Sequence, residues 1–366
     1  MRLAGLRVAV DGQALARPQA GMGVYTAQML ESMRAAEPQV RWTVWLPPEL
    51  RGTEPPSSRL VPGPRLIGRH VIWPRRLDRA GADVFWGPAG QMPLGRLKAP
   101  AVLTVHDLAI YQEPRWFPSG QWLSVRLVVP RSLRGAEHLI AVSSSTAADL
   151  QRFFDIPEDR ITVVPEGVAP SFRPLPPEAL LQARRRWRLP ERFILFVGTL
   201  EPRKNLTTLL EAWVQLPHRP PLVVVGGWGW RSEDLMRRVA RAGSQLHLLG
   251  EVPRTDLAAI YNLAACLAHP AWYEGFGLTV LEAMACGVPV IASRTSSLPE
   301  LVGGAGRLLP PDDVAAWTRS LQEVLGDPEL RRQMRTDGLL RAAELTWDRA
   351  AERTLRTLAA AAQVNR

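Results

Sequence analysis

Trp272-Tyr273-Glu274-Gly275-Phe276-Gly277-Leu278-Thr279-Val280-Leu281-Glu282-Ala283-Met284-Ala285-Cys286-Gly287-Val288-Pro289-Val290 is the stretch on which the reading of this chain turns. A glycine-flanked loop carries Glu274, a short helix begins near Leu278, and an apolar strand follows from Val288. A helix N-terminus has backbone N–H groups with no intrahelical acceptor, so it attracts anions. Glu274 stands ahead of that anion site and Glu282 one turn inside the helix. Were the whole span helical, the two carboxylates would lie roughly 12 Å apart along the axis. Carboxylates on either side of an anion site suit a ligand with hydroxyls at both ends and phosphates between them, as in a nucleotide-sugar. The alternative for two carboxylates alone is a solvated loop and a solvated helix face.

Outward from this stretch, apolar runs alternate with helix-like segments. Leu6–Asp11, Trp42–Leu46, Asp83–Trp86, Ala101–Val105, His138–Val142 and Ile161–Val164 read as strands of a first half, and Phe193–Val197, Leu222–Val225, Leu246–Leu249, Cys266–His269 and Val288–Ala292 as strands of a second. Such alternation predicts an α/β chain with parallel sheets covered by helices, such as Ala27–Ala36 and Leu206–Leu216. Prolines 165, 170, 174, 176, 177 and 190 crowd the junction, where regular structure should end. The expected domains are therefore 1–175 and 176–345, with 346–366 as a C-terminal helical segment.

With 366 residues, 46% of them hydrophobic, the chain can bury two cores. Cys266 and Cys286 have no metal-ligand spacing and lie in apolar surroundings, which predicts buried thiols in a reducing compartment. The N-terminus reads as a first strand rather than a signal peptide, and no apolar run approaches about 18 residues. A cytoplasmic protein is expected, free or peripheral on the inner membrane face. The net charge of +10 points to anionic partners.

Phe196-Val197-Gly198-Thr199-Leu200-Glu201-Pro202-Arg203-Lys204-Asn205-Leu206 is a strand ending in a glycine and a basic pair before a helix. Ligands of open α/β sheets bind at the carboxyl ends of strands. Arg203 offers a planar fork for phosphate oxygens and Lys204 a compact charge, although such pairs are most often solvated turns. Asn205-Leu206-Thr207 fits a glycosylation acceptor pattern only by chance. Gln19-Ala20-Gly21-Met22-Gly23-Val24-Tyr25 is a glycine pair that opens a helix, either a phosphate-approaching loop or an ordinary tight turn. Thr26 replaces the third glycine of a dinucleotide fingerprint. In Thr104-Val105-His106-Asp107-Leu108, His106 at a strand end can meet a sugar hydroxyl, its tautomer set by its neighbour, while Asp107 could instead cap the next segment. Ser143-Ser144-Ser145-Thr146 reads as an N-cap. No Asp-x-Asp occurs anywhere.

These motifs together resemble the retaining glycosyltransferases of family 4, with the GT-B fold of two Rossmann-like domains facing a cleft. The resemblance covers nearly the whole chain and is closest to the mannosyltransferase-type members. It implies that Glu274 contacts the donor sugar and Glu282 the ribose. It also implies that Arg203 and Lys204 neutralise the leaving diphosphate without a metal or other cofactor, and that His106 lies near the reactive face. Gly21, Gly23, Gly198, Gly275, Phe276, Gly277, Leu278 and Thr279 are the remaining donor-contacting candidates, through backbone and close approach. The final helix would cross back to the first domain. Pro165-Glu166-Gly167-Val168 resembles the family's hinge segment, often Pro-Asn-Gly-Val, with Glu166 in place of asparagine and no role assigned to it.

The implied reaction moves a hexose with retention of configuration, mannose from GDP-mannose first and a UDP-sugar as the alternative. The acceptor would be a glycan or a lipid-linked saccharide. No second carboxylate is placed as a nucleophile, so a same-face mechanism with charge stabilisation fits better than double displacement. Two Arg/aromatic segments, Arg65…Arg69-His70…Trp73…Arg75-Arg76 and Arg115-Trp116-Phe117…Trp122…Arg126…Arg131…Arg134, suit an anionic membrane or acceptor. They equally suit Arg-rich helix flanks with a tryptophan in the core. An NAD(P)-dependent oxidoreductase is disfavoured by the missing glycine. A nucleic-acid-binding protein is disfavoured by the lack of any recognition motif, so no nucleic-acid partner is expected.

Overall fold

The computed structural model describes residues 3–17, 21–46, 50, 58–60 and 68–364. The chain divides into two compact units. The first comprises Met1–Tyr111, Ser119–Gly167 and Trp347–Arg366, and the second Gln112–Pro118 and Val168–Thr346. The changeover thus falls at Gly167/Val168, ahead of the boundary expected at 175.

The first unit holds a seven-stranded parallel sheet built from β1 (Arg7–Asp11), β2 (Arg41–Leu46), β3 (Ser58–Leu60), β4 (Val84–Gly87), β5 (Ala101–Val105), β6 (His138–Ala141) and β7 (Ile161–Val163). Their order is β3-β2-β1-β4-β5-β6-β7. Strands β4 and β5 are buried at every position and apolar but for Thr104, as expected when helices cover both faces of a parallel sheet. Trp45, Trp73 and Phe85 pack in the core, with Trp73 against Trp45 at 5.8 Å and edge-on to Phe85 at 5.5 Å. Trp73 is therefore a core residue and not a membrane anchor, while Arg65 and the side chain of Arg69 lie outside the described residues. The last helix, Trp347–Ala361, packs on helix Gly21–Ala36, and Trp347 meets Tyr25 edge-on at 5.8 Å.

The second unit holds a six-stranded parallel sheet: β8 (Ile194–Val197), β9 (Leu222–Val225), β10 (Leu246–Gly250), β11 (Cys266–His269), β12 (Val290–Ser293) and β13 (Arg307–Leu309), in the order β10-β9-β8-β11-β12-β13. Phe196, Trp213 and Trp317 are buried in its core. The indole N–H of Trp213 donates to the Pro220 carbonyl at 2.7 Å and that of Trp317 to the Pro310 carbonyl at 2.9 Å. Each large apolar side chain buried in this way contributes roughly 1.5–3 kcal/mol. Gln112–Pro118 joins this unit through Phe117, stacked on Trp230 at 5.9 Å, and through the Arg231 guanidinium, which donates to the Arg115 carbonyl at 2.6 Å. Both cysteines are buried free thiols, and burial pushes each up to about 12.

Candidate active site

In the second unit β8 ends at Val197, and after Gly198 the chain enters a 3₁₀ turn at Pro202–Lys204, which delivers Arg203 and Lys204 side by side. Asn205 ends the turn in the left-handed conformation, φ 54°. Its carboxamide donates to the carbonyls of Pro270 (3.0 Å) and Pro311 (2.8 Å), and its Oδ1 accepts from Thr208 Oγ1 at 3.0 Å. That buried role locks the turn against the loop after β11 and leaves Asn205 no exposure for modification. The loop is tied from the other side as well, since the Trp272 N–H donates to the Arg203 carbonyl at 2.9 Å.

The basic pair converges on Glu274. Lys204 Nζ is ion-paired to Glu274 Oε1, and Arg203 Nη1 reaches Oε2 at 3.3 Å and the Tyr273 carbonyl at 3.0 Å. Arg203 is itself aimed by the buried Glu201, whose Oε1 accepts from Nη2 at 2.8 Å and from Nε at 3.1 Å. From beneath, His269 at the end of β11 donates Nε2–H to Glu274 Oε1 at 2.8 Å. Its Nδ1 is buried with no hydrogen-bond partner among the described residues. This matches a neutral imidazole, and burial together with Lys204 and Arg203 depresses the His269 pKa. Burial opposes the Glu274 carboxylate, but Lys204, Arg203 and His269 outweigh it and hold its pKa well below 4.5. Ser296 accepts the Glu274 backbone N–H at 2.8 Å. Ser297 Oγ lies 2.9 and 2.8 Å from the carbonyls of Glu274 and Phe276.

Helix Leu278–Ala285 starts directly after Gly277, whose φ of +109° is left-handed and whose added Cβ would sit 2.8 Å from Leu301 Cδ2. No side chain caps this terminus, so the first-turn N–H groups of Leu278 and Thr279 have no intrahelical acceptor. Glu274 lies in the loop and only Glu282 in the helix, so the fully helical spacing does not apply. Both carboxylate oxygens of the buried Glu282 are engaged, Oε1 by Arg254 Nη2 at 2.5 Å and Oε2 by the Tyr261 hydroxyl at 3.2 Å. Arg254 in turn lies over the Phe172 ring at 4.9 Å.

In the first unit, His106 follows β5 and Glu166 follows β7. His106 Nδ1 is 3.0 Å from Glu166 Oε1, and Nε2 is 2.7 Å from the Pro88 carbonyl after β4. Asp107 does not hold the ring. Its Oδ1 accepts the Ala109 N–H at 3.1 Å, the capping alternative. Ser143 Oγ accepts the Thr146 N–H at 3.0 Å, the N-cap expected there. Gly21 opens helix Gly21–Ala36 with nothing within 4 Å of a built Cβ. Gly23 has no such room, because its Cβ would lie 2.1 Å from the Arg17 carbonyl oxygen. The preceding Gln19 and Ala20 lie outside the described residues.

A family model described as "Glycosyl transferases group 1" matches residues 180–340, and one described as "Glycosyltransferase Family 4" matches residues 20–172. The chain is 34% identical over 296 residues to the O-antigen chain mannosyltransferase B of Escherichia coli, covering 78% of this chain and 77% of that protein. The chain belongs to glycosyltransferase family 4. Another relative of this family 4 enzyme is the D-inositol 3-phosphate glycosyltransferase of Salinispora arenicola, 32% identical over 72% of this chain and 65% of that one. The chain also matches the serotype-specific mannosyltransferase WbdA of Escherichia coli at 32%, spanning only 27% of that longer protein.

Among solved structures, sucrose-phosphate synthase from Thermosynechococcus elongatus superposes with a TM-score of 0.78 at 24% identity, covering 97% of this chain and all of that one. Anabaena Alr3699/HepE in complex with UDP-glucose superposes with a TM-score of 0.78 at 18% identity, with the same coverage. Likeness at this level of identity speaks to the fold alone, the α/β GT-B fold of two Rossmann-like units. Within this family 4 chain the residues that motif reading passed over are Glu166, Glu201, Arg254, Tyr261 and His269. Each is a buried or half-buried polar group, which is the signal that a polar residue inside an apolar run would have carried, as His269 does at the end of Cys266-Leu267-Ala268.

Proposed function

We propose that the chain transfers mannose from GDP-mannose to a hydroxyl of a glycan or lipid-linked saccharide, with retention of configuration. The observation that carries this reading is the Arg203–Lys204 pair at the carboxyl end of β8, converging on Glu274 beside an uncapped helix start. The mannosyltransferase relatives support the sugar. In this reading Arg203 and Lys204 take the diphosphate and stabilise the charge it gains as the glycosidic bond breaks, with no metal needed for that task. Leu278 and Thr279 add backbone donors, Glu274 orients the sugar and Glu282 the ribose. Glu274 holds Lys204 and Arg203 at the carboxyl end of β8, which fixes their position toward the diphosphate.

A thermal-shift screen with GDP, UDP, ADP and their sugar conjugates, in EDTA and then with Mg²⁺, tests the donor. A ligand that binds only the folded chain stabilises it by about 2.7 kcal/mol at 100 times its Kd. Stabilisation by GDP and GDP-mannose in EDTA is the expected result. Selectivity for UDP compounds would replace the donor with a UDP-sugar, and a response only with Mg²⁺ would overturn the metal-free assignment. The anomeric configuration of the product, read by NMR, tests retention.

The acceptor side carries its own signal. Trp122 is 67% exposed, Leu123 and Leu127 are half exposed, and Arg126, Arg131 and Arg134 are interleaved with them. Among the described residues no helix is long and apolar enough to cross a membrane. The proposal is peripheral contact with an anionic surface. Co-sedimentation with anionic vesicles is expected, weakened by salt and by Trp122→Ser; equal partition onto neutral vesicles would remove the electrostatic part.

A further inference from the structure

His106 is hydrogen-bonded at both ring nitrogens, and the chemistry of its two partners restricts its ionisation. The Pro88 carbonyl oxygen, 2.7 Å from Nε2, can only accept, so Nε2 carries a proton. At Nδ1 the partner is the carboxylate of Glu166, 3.0 Å away. The proton shared there belongs either to the imidazole, giving an imidazolium–carboxylate pair, or to the carboxyl, giving a neutral pair. The imidazole is the more basic of the two groups, which places the proton on the ring.

Both side chains are shielded, His106 at 16% exposure and Glu166 at 5%, so the pair is screened little by solvent. The remaining groups facing His106 are Asp107, whose charge also favours the cation, and Tyr25, edge-on at 4.6 Å with its hydroxyl 3.2 Å from Thr104 Oγ1. Burial opposes the charged ring, yet Glu166, Pro88 and Asp107 outweigh it, and the His106 pKa is raised.

We infer that Glu166 is a positioning residue that holds His106 as a fixed imidazolium, so that His106 serves the transfer as an oriented positive charge and not as a proton acceptor. The inference rests on the reading that places His106 in the site. A neutral carboxamide at this position could align the ring but could not supply the negative charge that keeps it protonated. With both N–H bonds donated, the ring has no lone pair with which to deprotonate an acceptor hydroxyl.

The test is a pH titration of the histidine Cε1–H signals of the full chain by ¹H–¹³C correlation, with His106 assigned by its loss in His106→Asn. The expected wild-type midpoint lies above 6.5 and falls below it in Glu166→Gln. In turnover, the same substitution should shift the alkaline fall of kcat to lower pH while leaving KM for the donor nearly unchanged, a split that a purely structural role would not produce.

Should Glu166→Gln not fold, Glu166→Asn, which is also neutral, carries the same test. The wild-type midpoint alone can already overturn the inference. A wild-type midpoint at or below 6.5, or one that neither variant moves, overturns the inference, and so does a kcat profile that the variants leave in place. The resonance reports ionisation whichever sugar is moved. Failure with GDP-mannose alongside a raised midpoint would therefore count against the donor and leave the pairing standing.

Discussion

Lys204→Met is expected to lower kcat/KM by roughly 10²–10³-fold, the usual loss when one donor to a developing anion is removed, and to destabilise the second unit by about 2–3 kcal/mol. The stability figure follows from burial. The Lys204 and Glu274 side chains are 14% and 9% exposed, so methionine leaves a carboxylate without its nearest cation. Orphaning a buried charge completely costs about 3–5 kcal/mol. Here Arg203 and His269 still hold Glu274, which trims the loss. Adding Glu274→Gln to Lys204→Met should recover part of the stability, because no buried carboxylate is then left short of a cation and Arg203 keeps Glu201, but none of the turnover.

The pH dependence has a definite sign. The Glu274 pKa in the folded chain is depressed well below 4.5. The carboxylate therefore adds stability above its unfolded value, and that stability is lost as pH falls through the folded one. Lys204→Met brings the folded value back toward 4.5. The wild-type and variant urea curves should differ most near neutrality and converge as pH drops below 4.5. A difference that stays constant with pH would show that packing, and not charge pairing, accounts for the loss.

This network also shows which parts of the site a sequence can disclose. Glu274, the glycine-flanked loop and the helix start at Leu278 are consecutive, and Arg203 and Lys204 are adjacent, so short-range spacing suffices to read them. Glu201 is adjacent to that pair too, but its role becomes visible only when Arg203 folds back on it at 2.8 Å. His269 and Glu166 act on partners brought close by strand order. Glu166 lies 60 residues from His106 along the chain, and only the placement of β5 and β7 on either side of β6 brings their ends together. The same limit explains the two strands that the alternation of apolar runs does not reveal. Ser58–Leu60 and Arg307–Leu309 are three-residue edge strands, too short for a burial pattern to emerge. Trp73 is open to two readings for a related reason: an aromatic among arginines looks the same in sequence whether it faces a membrane or a core.

Gly226→Ala is expected to be the most damaging single-methyl change in the second unit. A Cβ at Gly226 would lie 2.0 Å from the Gly198 carbonyl oxygen and 2.7 Å from its carbon, and these are backbone atoms that cannot rotate away. The position also has φ +140°, a conformation that alanine rarely adopts. Strain of about 1–3 kcal/mol and overpacking of about 1–3 kcal/mol act on the same residue, giving about 2–6 kcal/mol together.

The damage should not stay local. The ends of β8 and β9 are laced by Gly198 N–H to the Val225 carbonyl at 2.9 Å and by Leu200 N–H to the Gly227 carbonyl at 2.9 Å. The Lys204 stem packs on Gly198, with its carbons 3.6–3.7 Å from where a Cβ would stand. Pushing Gly198 aside to admit a methyl group therefore displaces the turn that carries Arg203 and Lys204. Gly226→Ala should lower Tm by roughly 2–4 °C for each kcal/mol lost, and it should also abolish the thermal shift given by the nucleotide. Gly304→Ala is the matched control, since nothing lies within 4 Å of its Cβ and its backbone is not left-handed; it should stay within about 0.5 kcal/mol of wild type. If Gly226→Ala melts with Gly304→Ala and still responds to nucleotide, the close approach of these two loops does not hold the cation pair in place.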